Sequence, residues 1–200
     1  CALPIFMEAK FHNNSNGFRP YKSCESAISQ FQNYVYRNKC YYVVDVDIKS
    51  FFDNVDHGKL LKQLWALKIR DKKLLKIISL MLKANICEIG IPEKGMPQGG
   101  ILSPLLANVV LNELDWWLSN QWMTYHTKKE FKRYVRKNGN ICSYERTWLR
   151  KNTRLKEFYF VRYADDFKII CKSYEDAVKL KIATTNWLNE RLNLEISEEK

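Results

Sequence analysis

Two hundred residues suffice for one sizeable domain, or for a domain and part of another. A 46% hydrophobic and 14% aromatic content suits a folded core, while no apolar run is long enough to span a bilayer and no signal peptide is recognisable, so a soluble protein is expected. Six scattered cysteines without a C-x-x-C pair argue against a zinc site or disulfide scaffold and suit a reducing cytosol, and the net charge of +11 favours a polyanionic partner, nucleic acid before an anionic membrane.

Residues 13–20 (NNSNGFRP) are rich in turn formers and read as a loop. Ser23 is placed to cap a helix running to about residue 38, with Ala27, Ile28, Phe31, Tyr34 and Val35 on one face. Residues 41–48 predict a buried strand. Two short amphipathic helices follow at 58–68 and 71–83, then a strand or hairpin over 85–97. Ser103 and Pro104 combine an N-cap residue with proline at the first helical position, and this helix runs to about residue 122. Ser173 and Asp176 resemble a capping box opening a helix to about residue 192. Residues 194–196 begin one more strand. The elements lack a regular βαβ rhythm and a G-x-G-x-x-G loop. That favours an α+β fold with helices packed on one face of the sheet.

Charge is concentrated between residues 128 and 157, where eleven Lys or Arg face three acids, a local excess of eight. The ordinary reading is a solvated loop. Phe131, Tyr134, Tyr144 and Trp148 are interleaved with the cations, and bases stack on aromatic faces while phosphates pair with cations. Lys128, Lys129, Lys132, Arg133, Arg136, Lys137, Arg150 and Lys151 are therefore candidate nucleic-acid contacts.

The stretch FVRYADDFKII, residues 160–170, sets two adjacent carboxylates, Asp165 and Asp166, between strand-forming flanks. A hairpin turn explains them in part, but neither Gly nor Asn accompanies them. Neighbouring like charges repel unless a cation lies between them. Upstream, YYVVDVDIKSFFDNVDH (residues 41–57) places Asp45 and Asp47 on one face of a strand. If that strand pairs beside the hairpin, Asp47 joins Asp165 and Asp166. Oxygen donors without His or Cys favour Mg²⁺ or Mn²⁺ over zinc.

These residues resemble a known family. FVRYADDF is similar to the catalytic hairpin of reverse transcriptases, and VDVDIKSFFDNVDH to the strand bearing their first catalytic aspartate. GMPQGGILSPLLANVVLNELD (95–115) looks like their nucleotide-pocket block, and GFRPYKSCESAI (17–28) like a fingers motif. Wording and order are most similar to group II intron-encoded reverse transcriptases, the intron maturases, over nearly the whole chain.

The resemblance implies a right-hand polymerase architecture. Residues 1–40 would be partial fingers. Residues 41–200 would form an antiparallel palm, with fingers elements at about 68–97, a basic insertion at about 123–156, and no thumb. It implies RNA-directed DNA synthesis by two-metal nucleotidyl transfer, in a bacterial or organellar cytoplasm, with intron RNA as template, a DNA primer and dNTPs. Splicing assistance and retrohoming would accompany it. A non-enzymatic RNA-binding maturase and a domesticated or CRISPR-associated enzyme are the alternatives.

Asp47, Asp165 and Asp166, with the Ile48 carbonyl, would hold two Mg²⁺ ions, Mn²⁺ being the alternative. Phe52 would exclude a ribose 2′-OH. Pro97, Gln98 and Gly99 would line the nucleotide pocket, Arg19 and Lys22 the triphosphate, and Lys200 would protonate pyrophosphate. Family members often carry Arg where Lys22 stands, so bidentate phosphate geometry is lost there. Asp45 is expected to pair with a cation, and Asp53 or Asp56 to cap the following helix. Apolar palm surface left without a thumb would favour self-association.

Overall fold

A computed structural model describes residues 2–85, 90–135 and 141–197. In chain order the elements are α1 (Ala2–Glu8), α2 (Cys24–Asn38), β1 (Tyr42–Val46), α3 (Phe51–Asn54), α4 (His57–Ala66), α5 (Lys72–Leu82), α6 (Ser103–Gln121), β2 (Arg133–Val135), β3 (Ile141–Ser143), α7 (Glu145–Asn152), β4 (Phe158–Tyr163), β5 (Asp166–Cys171) and α8 (Tyr174–Trp187), which continues as a π-helical turn, Leu188–Leu192. Among the described residues no helix is long and apolar enough to cross a membrane.

Local chemistry sets most helix starts. The Ser23 hydroxyl accepts from the Ser26 amide while the Ser26 hydroxyl accepts from the Ser23 amide, a reciprocal box at the head of α2. Asp56 caps α4 through Lys59 N, and Asp71 caps α5 through Lys73 N and Leu74 N. Ser173 caps α8 through Asp176 N. The start of α6 departs from expectation. Leu102 is its N-cap, Ser103 is already helical, and the Ser103 hydroxyl instead donates to the Pro97 carbonyl at 2.6 Å. The hydroxyl thus ties the helix to the preceding loop.

The central sheet is antiparallel with order β1-β5-β4. Alternation divides its faces. Val44, Val46, Phe158, Phe160, Phe167, Ile169 and Cys171 point into the main core, where α4, α5, α6 and α8 supply Leu64, Ile78, Leu111 and Leu180. The opposite face carries Val161 and Ile170, and α2 lies across part of it with Ala27, Phe31, Tyr34 and Val35. The main helical layer thus sits on one face, with α2 added on the other. Of the strand or hairpin expected at 85–97, residues 86–89 lie outside the described residues. Within residues 90–97, Lys94 bridges to Asp56, and no extended strand forms among the described residues. Ile196 likewise forms only a bridge, to Ile48.

The centre of the segment read as a turn-rich loop is buried. Ser15, Asn16 and Asn14 are at most 5% exposed. Arg162 N donates to Asn14 O, and Asn16 N donates to Arg162 O, both at 2.9 Å. The segment therefore runs along the free edge of β4 as a parallel partner and covers an edge that would otherwise expose unpaired backbone groups. Ile77, Leu80 and Met81 remain exposed along α5.

Candidate active site

The β4–β5 hairpin is closed by the pair Tyr163–Asp166, leaving Ala164 and Asp165 at the tip. Ala164 has φ +57°, a left-handed conformation unfavourable for any residue with a Cβ. Packing holds it there. A Cβ on Gly17 would fall 2.2 Å from Ala164 N, so only glycine lets the 12–17 segment pass this close to the turn.

Beneath the turn lies a buried charge network. Arg162, 1% exposed, donates from Nε and Nη2 to the two carboxylate oxygens of Asp115 at 2.8 and 2.6 Å. Its Nη1 donates to Ala164 O at 2.6 Å and to Asn108 Oδ1 at 3.0 Å. Asn108 Nδ2 in turn donates to Gly17 O at 2.8 Å. One guanidinium thereby fastens the tip of the hairpin to α6. Arg162, Asp115, Asn108 and Gly17 were not among the expected site residues. The signal in the sequence was an arginine inside a run of strand-forming apolar residues, which a buried partner alone makes tolerable.

On the other flank, β1 pairs with β5 in the register Val46–Phe167 and Asp45–Lys168. Asp47 directly follows the last residue of β1 in that register, and Asp166 directly precedes Phe167, with Asp165 in the turn. Asp47 and Asp165 are partly buried and Asp166 is exposed. The sheet end is held from below, because Ser197 N donates to Asp47 O at 2.8 Å and Lys49 N to Glu195 O at 2.9 Å. Ile48 is buried at the same end.

Lys168, two residues beyond Asp166 on the same face, places Nζ 2.9 Å from Asp45 Oδ1 and 3.6 Å from Asp166 Oδ1. Burial works to lower the Lys168 pKa, but the hydrogen bond to Asp45 and the neighbouring Asp166 charge outweigh it and hold the pKa above its usual value. Asp45 therefore has the cation partner expected of it. The oxygen-only donors suit a hard divalent ion in kind. They are not drawn into a closed set: among the described residues no three His, Cys, Asp or Glu form a metal-holding group.

The nucleotide-pocket candidates meet beside α3. Phe51 is buried, 2% exposed, while Phe52 packs edge-on against it at 5.3 Å and stays partly open. Met96 N donates to Phe52 O and Gly95 N to Val55 O, both at 2.7 Å. His57 Nε2 donates to Gly95 O at 2.6 Å. These bonds fix the 94–97 loop to the Phe52 helix. Gly95 has φ +95°, and a Cβ there would meet Asp53 O at 3.0 Å. Gln98 Nε2 lies 3.5 Å from Asp53 Oδ1, at the outer limit of a hydrogen bond. Pro97 and Gly99 belong to the adjoining turn, with Gly99 at φ +80°. The helix cap is Asp56, not Asp53.

Other expected residues fall differently. Arg19 is buried and engaged, bonding Glu8 by Nε and Nη2 and the carbonyls of His12 and Ser15 by Nη1. It braces α1 against the 12–19 segment and offers no free face to a triphosphate. Lys22 Nζ donates to Asn13 O at 2.9 Å. Arg150 is a fork on Glu157 at 2.7 and 2.6 Å, and Glu157 also takes Lys172 at 2.7 Å. The Arg150 guanidinium is thus paired within its own fold, and its side chain stays 41% exposed. Lys128, Lys129, Lys132 and Lys151 are exposed, with Lys129 Nζ 5.1 Å from the Trp148 ring centroid. Tyr134 and Tyr144 lie ring beside ring, centroids 5.5 Å apart, both exposed. Arg133 opens β2. Arg136, Lys137 and Lys200 lie outside the described residues.

The profile of a family described as reverse transcriptase (RNA-dependent DNA polymerase) matches residues 3–200. The group II intron-encoded protein LtrA of Lactococcus lactis subsp. cremoris is 34% identical over 230 residues, covering 99% of this chain and 38% of its own length. Protein YkfC of Escherichia coli (strain K12) is 31% identical over 185 residues, covering 89% of this chain and 48% of its own. The chain therefore spans less than half the length of these relatives. In fold it is similar to the structure of apo telomerase from Candida tropicalis, with TM-score 0.59 at 11% identity over 98% of this chain and 34% of that one.

Proposed function

The chain belongs to the reverse transcriptase family, and from that premise we propose that it is the catalytic fingers–palm portion of a group II intron-encoded RNA-directed DNA polymerase. The observation that supports this reading is the β1–β5 register, which pairs Val46 with Phe167, so that Asp47 and Asp166 are the neighbours of that last pair and Asp165 precedes Asp166 in the turn.

The reaction joins a DNA primer to a deoxynucleotide opposite an RNA template. The primer 3′-oxygen forms a bond to the α-phosphorus, the bond from that phosphorus to the bridging oxygen of the β-phosphate breaks, and pyrophosphate leaves. The hydroxyl proton passes to solvent. Asp47, Asp165, Asp166 and the Ile48 carbonyl are the groups that would hold two Mg²⁺ ions, with Mn²⁺ as the alternative. Bound there, divalent ions make the attacking hydroxyl more acidic and stabilise charge on the leaving oxygen.

The chain's other residues position the reactants. The Arg162–Asp115 pair fixes the turn that carries Asp165, and misplacement by about 1 Å can cost a hundredfold in rate. Phe52, braced on buried Phe51, presents a ring edge where a ribose 2′-OH would clash. The 95–99 loop, held by Phe52 O, Val55 O and His57, brings backbone close to the new base pair through its small residues. The exposed lysines and paired tyrosines of the 128–151 region suit binding of intron RNA, as a splicing maturase requires, in a bacterial or organellar compartment.

The test is extension of a DNA primer on an RNA template by the natural-length protein with dNTPs and Mg²⁺. Template-dependent DNA product supports the reading. RNA binding without extension contradicts the polymerase assignment.

A further inference from the structure

We propose that Lys168 is a built-in counter-cation for the carboxylate end of the sheet, tethered by Asp45, and that it weakens the uptake of divalent ions there. The inference rests on the reading of Asp47, Asp165 and Asp166 as metal-holding residues.

Lys168 stands on the central strand, where side chains two residues apart share a face. Asp166 lies two positions before it, and Asp45 lies directly across the strand pair. The 2.9 Å contact to Asp45 is a charge-assisted hydrogen bond, whereas 3.6 Å to Asp166 is an ion pair too long for one. The ammonium is therefore anchored on Asp45 and leans toward Asp166. An apolar cleft of about 230 Å³, walled by Ala27, Ile28, Phe31 and Val161, borders both Lys168 and Asp166.

The two anchoring residues then have opposite effects on a divalent ion. Without Lys168, both Asp45 and Asp166 lose a compensating charge, and the site attracts the ion more strongly. Without the Asp45 charge, Lys168 is released toward Asp166 and competes harder. A salt bridge serving stability alone would make both substitutions act with the same sign.

The experiment measures Mn²⁺ binding to the natural-length protein by the electron paramagnetic resonance signal of free Mn²⁺, without nucleic acid. Lys168→Met should tighten binding by roughly tenfold, the order expected for one unit charge a few ångströms from a divalent ion in water-like surroundings. Asp45→Asn should weaken it several-fold, and Lys168→Arg should stay near wild type. Far-UV circular dichroism checks folding, and Lys168→Gln takes the place of Lys168→Met if the latter does not fold. Shifts of the same sign in the Lys168 and Asp45 variants, or no shift, overturn the proposal. Asp166→Asn separates the two levels. Binding that needs Asp166 but ignores Lys168 defeats this inference alone, whereas binding indifferent to Asp166 defeats the metal reading with it.

Discussion

Asp115→Asn removes the charge opposite Arg162 while keeping the side-chain shape. Both side chains are 1% exposed, and the guanidinium makes two of its four short hydrogen bonds to this carboxylate. Breaking one side of a buried pair leaves an uncompensated charge and costs about 3–5 kcal/mol. For a chain of this size each kcal/mol moves Tm by roughly 2–4 °C, so thermal unfolding followed by circular dichroism should fall by roughly 6–20 °C. The exposed pair Arg191–Glu113, with side chains 62% and 35% exposed, offers the contrast, because Glu113→Gln should cost about 0–1 kcal/mol. The double variant Asp115→Leu with Arg162→Met replaces charge by apolar volume and should regain most of the stability. It should not regain primer extension, because the bonds from Arg162 to Ala164 O and Asn108 are also gone. A loss below about 1 kcal/mol for Asp115→Asn, or full activity in the double variant, would refute the role given to this network.

Three further outcomes are expected. Phe52→Ala should lower the ratio of kcat/KM for dGTP over GTP by at least about tenfold, about 1.4 kcal/mol of discrimination; an unchanged ratio places the sugar selection elsewhere. Gly17→Ala should reduce extension at least about a hundredfold with RNA affinity retained, since its Cβ would sit 2.2 Å from Ala164 N, and normal extension would show that the turn can move without penalty. Neutralising Lys128, Lys129 and Lys132 together should flatten the log–log salt dependence of RNA binding by roughly 0.7–0.9 for each phosphate left without its lysine, while Arg150→Ala, which breaks the Glu157 pair, should act mainly on stability; an unchanged slope would make these lysines solubilising only.

Capping explains why the helix starts at α2, α4, α5 and α8 were legible, because Ser23, Asp56, Asp71 and Ser173 act within three residues of themselves. The adjacent acids Asp165 and Asp166 stood out for a similar reason, since two neighbouring carboxylates break an otherwise apolar alternation. What the sequence hid depends on distant partners. Ser15 and Asn16 look like loop residues until β4 supplies the carbonyl and amide of Arg162. Arg19 reads as a phosphate ligand until Glu8 and two carbonyls take it up. Arg150 reads as a free surface cation until Glu157 is seen to pair with it. Helix α1 was missed because ALPIFME carries a proline, and its burial comes from Leu3 and Met7 in the shared core.

The most direct test of the polymerase reading compares Asp166→Asn and Asp165→Asn with wild type in two assays on the natural-length protein, primer extension on an RNA template at physiological Mg²⁺ and equilibrium RNA binding. Both variants should lose extension by at least about a thousandfold, roughly 4 kcal/mol of transition-state stabilisation, with RNA affinity largely intact because the basic surface is untouched. Undiminished extension by either variant would contradict the account.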